Sequence, residues 1–401
     1  MVGLKASLLL ALTAAGAACS PQDADTGSGV GGTAASAGTS PSASGGSGAS
    51  GGSGGSGASG GSGGSAAVGT SGPALWVIDY LTLREVDLAT GKGRIAANLL
   101  NIQGDIYDLV PGPQQVWLTT SKGAVAVLDR EAGTTQVLPI DTVETWGISA
   151  LALGPDSAYI ASGAKPMGDN PMGPPLVRVD AKSLRERARV DIFGEDVGES
   201  AQRMFVNSDA VWLLRSDGFA VMKLDPETLA VEDTIVLGED PANVTGPRKD
   251  LSGYGDMAQV KNTLWIFDES KKRLPLLKLD ESSHEAVYVR ALSDEFGDGA
   301  GDCMSVVANQ DSVFVLFCNE EVNAIAKLDG KTGATLRTYA LGPGGALMMA
   351  EQNGKLYVDS STADNSQISE IDEQSGTSRV VYEATGLIGG IATEVPIAGA
   401  P

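Results

Sequence analysis

Residues 106–140 decide the fold. They read Ile106-Tyr107-Asp108-Leu109-Val110, a turn at Gly112-Pro113, Val116-Trp117-Leu118-Thr119, a break at Ser121-Lys122-Gly123, Ala124-Val125-Ala126-Val127-Leu128-Asp129, a turn at Glu131-Ala132-Gly133, then Thr135-Gln136-Val137-Leu138-Pro139-Ile140. Four short β-rich runs parted by turn-forming residues are the signature of four antiparallel strands. The unit recurs. Its second run carries an aromatic at Trp76, Trp117, Tyr159, Trp212, Trp265, Phe314 and Tyr357, and its third ends in an aspartate at Asp87, Asp129, Asp180, Asp225, Asp280, Asp329 and Asp372. Successive aspartates lie 42 to 55 residues apart, the length of one propeller blade. The expectation is an all-β, seven-bladed β-propeller over residues 73–401 with four antiparallel strands per blade.

Ring closure is written at the two ends of this region. The first copy begins at Ala74-Leu75-Trp76-Val77 without a first run, and the last residues, Gly389-Gly390-Ile391-Ala392-Thr393-Glu394-Val395, have the form of a first run with no second. The C-terminal strand should therefore complete the first blade and cover its open edge. In this reading the aromatics fill the space between neighbouring sheets. The aspartates close the turns that follow them by accepting backbone N–H groups.

Outward from the repeats, the chain changes character. Residues 1–18 carry Lys5, the apolar run Leu8-Leu9-Leu10-Ala11-Leu12 and small residues Gly16-Ala17-Ala18 before Cys19, the pattern of a secretory signal peptide. Residues 19–72 are almost wholly Gly, Ser, Ala and Thr, a composition that cannot build a core. As a flexible coil such a tether has an end-to-end distance of about 40 Å.

Charge narrows the partners. There are 28 basic against 50 acidic residues, a formal net charge of −22. A nucleic-acid partner is excluded because phosphate binding needs clustered Lys and Arg, and adhesion to anionic lipid is disfavoured for the same reason. One histidine and three cysteines leave no material for a Cys/His zinc cluster or a histidine triad beside a separate metal site. Membrane attachment would come through a lipid anchor alone, and the partner would be an envelope protein, a glycan or a small molecule.

Several residues stand out as site candidates. Connections from second to third strand, and from each blade to the next, vary in length and share one face. That face is the expected ligand-binding face, with Tyr254, Glu195, Asp196 and Asp256 on it. Cys303 and Cys318 flank the turn at Gln310-Asp311 symmetrically, so a two-residue hairpin register sets them opposite each other at disulfide distance. The run Asp294-Glu295-Phe296-Gly297-Asp298-Gly299-Ala300-Gly301-Asp302 spaces Asp294, Asp298 and Asp302 four apart among glycines, raw material for a calcium loop. It departs from an EF-hand at Phe296 and at Ser305.

Two resemblances follow from these residues. Small residues ending on Cys19 resemble the lipobox of bacterial lipoproteins, with Gly16 where Leu is usual. This implies acylation of Cys19 and an exported, outer-membrane lipoprotein of the cell envelope. The phrases Gly154-Pro-Asp-Ser-Ala-Tyr-Ile160 and Asn207-Ser-Asp-Ala-Val-Trp-Leu213, each followed by a strand ending Leu-Asp or Val-Asp and a turn, resemble virginiamycin B lyase-like, YVTN-type and quinoprotein-like propellers. The resemblance implies the fold. The lyase chemistry it would bring uses histidine and glutamate with a divalent metal at the axis, whereas the one histidine, His284, follows a third-strand turn at a blade's periphery. The expected function is a binding or protein-interaction module, the alternative being a lyase or hydrolase with a metal-dependent site at the central axis.

Overall fold

The computed structural model describes residues 74–100, 102, 106–120, 123–138, 148–162, 175–192, 201–215, 220–237, 255–268, 275–280, 285–297, 304–318, 323–342, 346, 348–361, 366–384 and 386–394. The segments 1–18 and 19–72, with Cys19, lie outside this set. Twenty-eight strands form seven four-stranded antiparallel sheets. Each sheet's innermost strand packs against those of both neighbours, which closes the ring. The chain is a seven-bladed β-propeller.

Taken from blade 1, the inner strands are Ile388–Thr393, Ile106–Pro111, Ile148–Leu153, Ala201–Val206, Gly255–Val260, Met304–Ala308 and Met349–Gln352. Blade 1 is composite. Its inner strand comes from the C-terminal end and pairs antiparallel with Ala74–Asp79, setting Trp76 opposite Ala392 and Val77 opposite Ile391.

The core is divided by the blades. Seven hydrophobic clusters occupy the seven spaces between neighbouring sheets. Each cluster holds one second-strand aromatic facing the following blade: Trp76 between blades 1 and 2, Trp117 between 2 and 3, and so on to Tyr357 between 7 and 1. All seven are buried. An aromatic side chain of this kind removes about 150–250 Å² from water, roughly 4–6 kcal/mol of gross transfer free energy at about 25 cal/mol per Å².

The aspartates meet these aromatics. Oδ1 of Asp87, Asp129, Asp225, Asp329 and Asp372 accepts the N–H groups two and three residues on, at 2.6–3.1 Å. Asp180 holds Ser183 in the same way. The carboxyl of Asp329 sits below its ordinary range, held there first by the Thr332 hydroxyl and then by the Thr332 N–H. The turn that follows Asp280 lies outside the described residues.

The turn delivers a carbonyl to the preceding blade. Tyr159 Oη donates to Pro226 O, the residue after Asp225, at 3.0 Å, and Trp265 Nε1 donates to Gly330 O, after Asp329, at 3.0 Å. The turn ends at Gly333 with φ +70°. A Cβ there would stand 3.0 Å from the Trp265 ring, so both backbone and packing call for glycine.

A second tie lies two residues before the turn aspartate. Arg178 Nη1 reaches Glu227 Oε2 at 2.5 Å, and Lys327 Nζ reaches Glu373 Oε2 at 2.9 Å, each on the following blade's turn. Between blades 1 and 2 the charges are exchanged. Buried Glu85 faces Arg130, 3.5 Å away, and Arg130 also holds Glu394 at 2.7 Å.

Blade 7 is latched to blade 1 by one buried carboxylate. Asp79 accepts Tyr382 Oη at 2.7 Å and the Gly386 N–H at 3.1 Å, and pairs with Arg84 Nε at 3.0 Å. Its side chain is fully removed from solvent, so losing a partner costs the desolvation of what remains. Tyr382→Phe is expected to cost about 1–2 kcal/mol and Asp79→Ala about 3 kcal/mol or more, because the latter orphans three donors at once. Urea denaturation measures both. Midpoints equal to wild type would show that the ring closes without this latch.

Candidate functional site

A cavity of about 1560 Å³ runs along the propeller axis. Its wall is built from the inner strands. Its mouth is formed by inner-to-second-strand turns, including Ser208-Asp209, Lys261-Asn262, Gln310-Asp311 and Asn353-Gly354. This is the face of tight turns, opposite the one whose loops vary in length.

Register against the core aromatics identifies equivalent positions. Val110, Ala152, Phe205, Ala258, Val307, Ala350 and Ala392 stand opposite the seven aromatics. Two residues upstream lies one layer of the wall, reading Asp108, Ala150, Arg203, Asp256, Ser305, Met348 and Gly390 from blade 2 round to blade 1. Three of the seven are charged.

On the inner strands, irregularity in the ladder falls at the approach to this layer; six blades carry another between their third and fourth strands. In blades 1 to 4 the inner strand carries one unpaired residue just before it: Gly389, Tyr107, Ser149 and Gln202. Blades 5 and 6 run in regular register past the same point. A bulge re-aims the side chain that follows it and is common beside binding sites. Asp108 and Arg203 both follow one.

Arg203 and Asp256 form a pair. Nε lies 2.7 Å from Oδ1 and Nη2 lies 3.4 Å from Oδ2. Asp256 also accepts its neighbour Met257 N–H at 2.8 Å and the blade 6 Val306 N–H at 3.2 Å. The carboxylate is buried while the guanidinium remains about half exposed to the lumen. Asp256 thus ties blades 4, 5 and 6 together.

Asp108 is placed alike but pairs differently. Its Oδ1 accepts the Leu109 N–H at 2.9 Å, and the N–H of Leu151 on blade 3 supplies a further bond. Burial pushes its carboxyl above the ordinary range. Arg203 and the two N–H groups pull the other way, and Asp256 adds to the rise. Nearer the mouth, Glu351 accepts the Gly354 N–H at 3.1 Å. Its carboxyl is likewise raised, chiefly by burial and further by nearby Glu373.

The sequence-predicted sites are distributed otherwise. Asp256 is not on a blade-to-blade loop but in the inner strand Gly255–Val260, buried in the wall; the strand begins earlier than the loop reading placed it. Tyr254, Glu195 and Asp196 lie outside the described residues. Asp294 is exposed on one helical turn, Ser293–Phe296, whose Glu295 holds Arg290 at 2.8 Å and whose Phe296 stacks on Phe317. Asp298 and Asp302 lie outside the described residues. Among the described residues no three His, Cys, Asp or Glu side chains gather as metal ligands. The blade 6 hairpin has the expected register, Met304 opposite Phe317. Cys303 lies outside the described residues, as does the side chain of Cys318.

No protein-family model matches the chain, and no curated protein matches it in sequence. Solved structures do match in fold. AztD from Citrobacter koseri, in its apo form, aligns at 12% identity over 80% of this chain and 97% of its own, with a TM-score of 0.50. The dihydro-heme d1 dehydrogenase NirN, in complex with DHE, aligns at 13% identity over 79% of this chain and 64% of its own, with a TM-score of 0.51. The computationally designed protein Ika8 aligns at 12% identity over 79% of this chain and 88% of its own, with a TM-score of 0.50. Identity this low shows the fold alone, and a fold shared with a designed protein carries no activity with it.

Asp108 gives a pH test. A folded-state pKa above the unfolded one means that Asp108 favours folding below the unfolded value of about 3.9, a contribution lost as pH rises through the folded value. Asp108→Asn retains an acceptor for the N–H groups and removes the charge. The variant is expected to be more stable than wild type at pH 7, with the gap closing as the pH falls toward about 4. Urea midpoints at a series of pH values measure it. A gap independent of pH would refute the assignment.

Proposed function

We propose that this protein is an exported, lipid-anchored binding module of the cell envelope whose central lumen holds a small molecule. The observation that carries the reading is the charged layer of the lumen wall, where Asp108 and Arg203 each follow an inner-strand bulge that blades 5 and 6 lack. A bulge re-aims the side chain that follows it, which suits a position beside a ligand. Export and anchoring are supported by the signal-like residues 1–18 and by Cys19 at their end. Among the described residues no helix is long and apolar enough to cross a membrane. Two acyl chains on Cys19 would supply about 0.8 kcal/mol per buried methylene, enough together for stable attachment.

The two halves of the proposal are tested separately. Labelled palmitate should enter the wild type and not Cys19→Ala, and the variant should leave the membrane fraction; an unlabelled, soluble wild type would remove the anchor. For the lumen, a thermal-shift panel of amines, amino acids, sugars and nucleotides should contain at least one class that raises the Tm of the wild type and not of Ser305→Trp, which fills the wall layer. A panel without any such lumen-dependent shift would refute the binding reading.

Export also bears on the blade 6 cysteines, since an oxidising compartment favours their pairing. With Cys19→Ala, the unfolded and unreduced protein should then show no free thiol. Two free thiols would show that Cys303 and Cys318 are unpaired.

A further inference from the structure

The lumen's charges are unequally matched. Every lysine or arginine in its lining has a carboxylate partner: Arg203 with Asp256 at 2.7 Å, Lys223 with Glu232 at 3.0 Å, Lys261 with Asp311 at 2.7 Å and Lys327 with Glu373 at 2.9 Å. Glu394 of the lining is held by Arg130 at 2.7 Å. Two half-buried carboxylates of the lining, Asp108 and Glu351, have no ion pair within 4 Å among the described residues; Asp108 accepts backbone N–H groups, and Glu351 accepts the Gly354 N–H and shares a hydrogen bond with Glu373.

A carboxylate drawn into an apolar wall without a cation is the costlier of the two ionic situations. Arg203 acts on Asp108 and Lys327 on Glu351 only from beyond ion-pair distance, so a ligand cation or a proton would complete the compensation. An anionic ligand is disfavoured, since Arg203 is already bonded to Asp256 and the lining carries more acids than bases. A hard divalent ion needs six or more oxygen ligands, whereas Asp108 and Glu351 stand at different depths. Glu351 is three residues along its strand from Met348, which belongs to the Asp108 layer. At about 3.4 Å per residue that separates them by roughly 10 Å along the axis, and they project from different blades. Between the two levels the wall is apolar, with Ala152, Phe205, Ala258, Val307, Ala350 and Ala392.

We infer that the lumen binds a linear aliphatic polyamine, one ammonium pairing with Asp108, another with Glu351, and the methylenes lying along the apolar wall between them. A triamine with three- and four-carbon spacers reaches about 11 Å between its terminal nitrogens when extended, at bond lengths near 1.5 Å. It carries cations only at intervals, with apolar segments between them, as the wall does with opposite sign. Arg203 and Asp256 are then structural members of the wall, and the two unmatched carboxylates select the ligand.

This inference rests on the lumen being a binding site, and the experiment separates the two. Spermidine is titrated into the purified full chain by calorimetry and thermal shift, beside magnesium chloride at equal ionic strength. Saturable binding of one spermidine per chain is expected, with no comparable effect of magnesium. Asp108→Asn and Glu351→Gln should each weaken spermidine at least tenfold while folding normally, and Asp108→Asn should do so with a higher ligand-free Tm. A merely structural carboxylate would not combine gained stability with lost affinity. Equal responses to magnesium and spermidine, or unchanged affinity in both variants, would overturn the polyamine assignment. Were spermidine to fail while another class gave a shift abolished by Ser305→Trp, the polyamine would fall and the binding lumen stand. With no lumen-dependent shift from any class, both fall.

Discussion

Each blade of this propeller is held by what its second-strand aromatic does to the next blade. The ring buries itself in the neighbouring sheet, and in Tyr159 and Trp265 its polar tip also takes a carbonyl from that sheet's third turn. That carbonyl is available because an aspartate one residue earlier has already wound the turn. At these two places one local device and one long-range contact depend on each other, and the aromatic packing recurs seven times around the ring. A four-stranded sheet has two apolar faces and cannot satisfy either alone; its two neighbouring blades cover them.

Such coupling explains what could be read from the sequence. Residues that build blades repeat, and repetition is visible: the tryptophan and aspartate series, the Gly-containing turns and the orphan first run at the C-terminus all report the architecture directly. The inter-blade ties of Arg178, Lys327 and Glu85 were legible in principle, because each stands two residues before a turn aspartate. Their alternating sign hides the regularity. Leu184 and Leu229 occupy the left-handed turn position that glycine fills elsewhere, so the turn motif is stronger than its glycine.

The lumen was far less legible, for a physical reason. Its layer is defined by where seven separate strands come together, and no two of its members are near in sequence. Arg203 stands in a run, Ala-Gln-Arg-Met-Phe-Val, that reads as an ordinary strand with polar interruptions. Asp256 was expected on a loop because the glycine- and proline-containing run 238–255 leads into the strand without a break in pattern. Bulges cannot be foreseen from pattern alone, since one extra residue only shifts an alternation that is already weak in strands buried on both faces. What distinguishes the lumen is departure from the repeat: three charges at a position where the other blades carry alanine, serine, methionine and glycine.

Blade 1 gives the molecule a mechanical character that the other blades lack. The segment entering at Ala74 becomes a strand flanked on both sides, by Ile388–Thr393 within and Thr82–Asp87 without. A pull transmitted from the N-terminal side acts along that strand's axis, against two hydrogen-bonded ladders loaded together in shear. An edge strand pulled sideways would open one bond at a time. Any force applied through the N-terminal side would therefore meet the part of the ring most resistant to being drawn out, the closure that completes it.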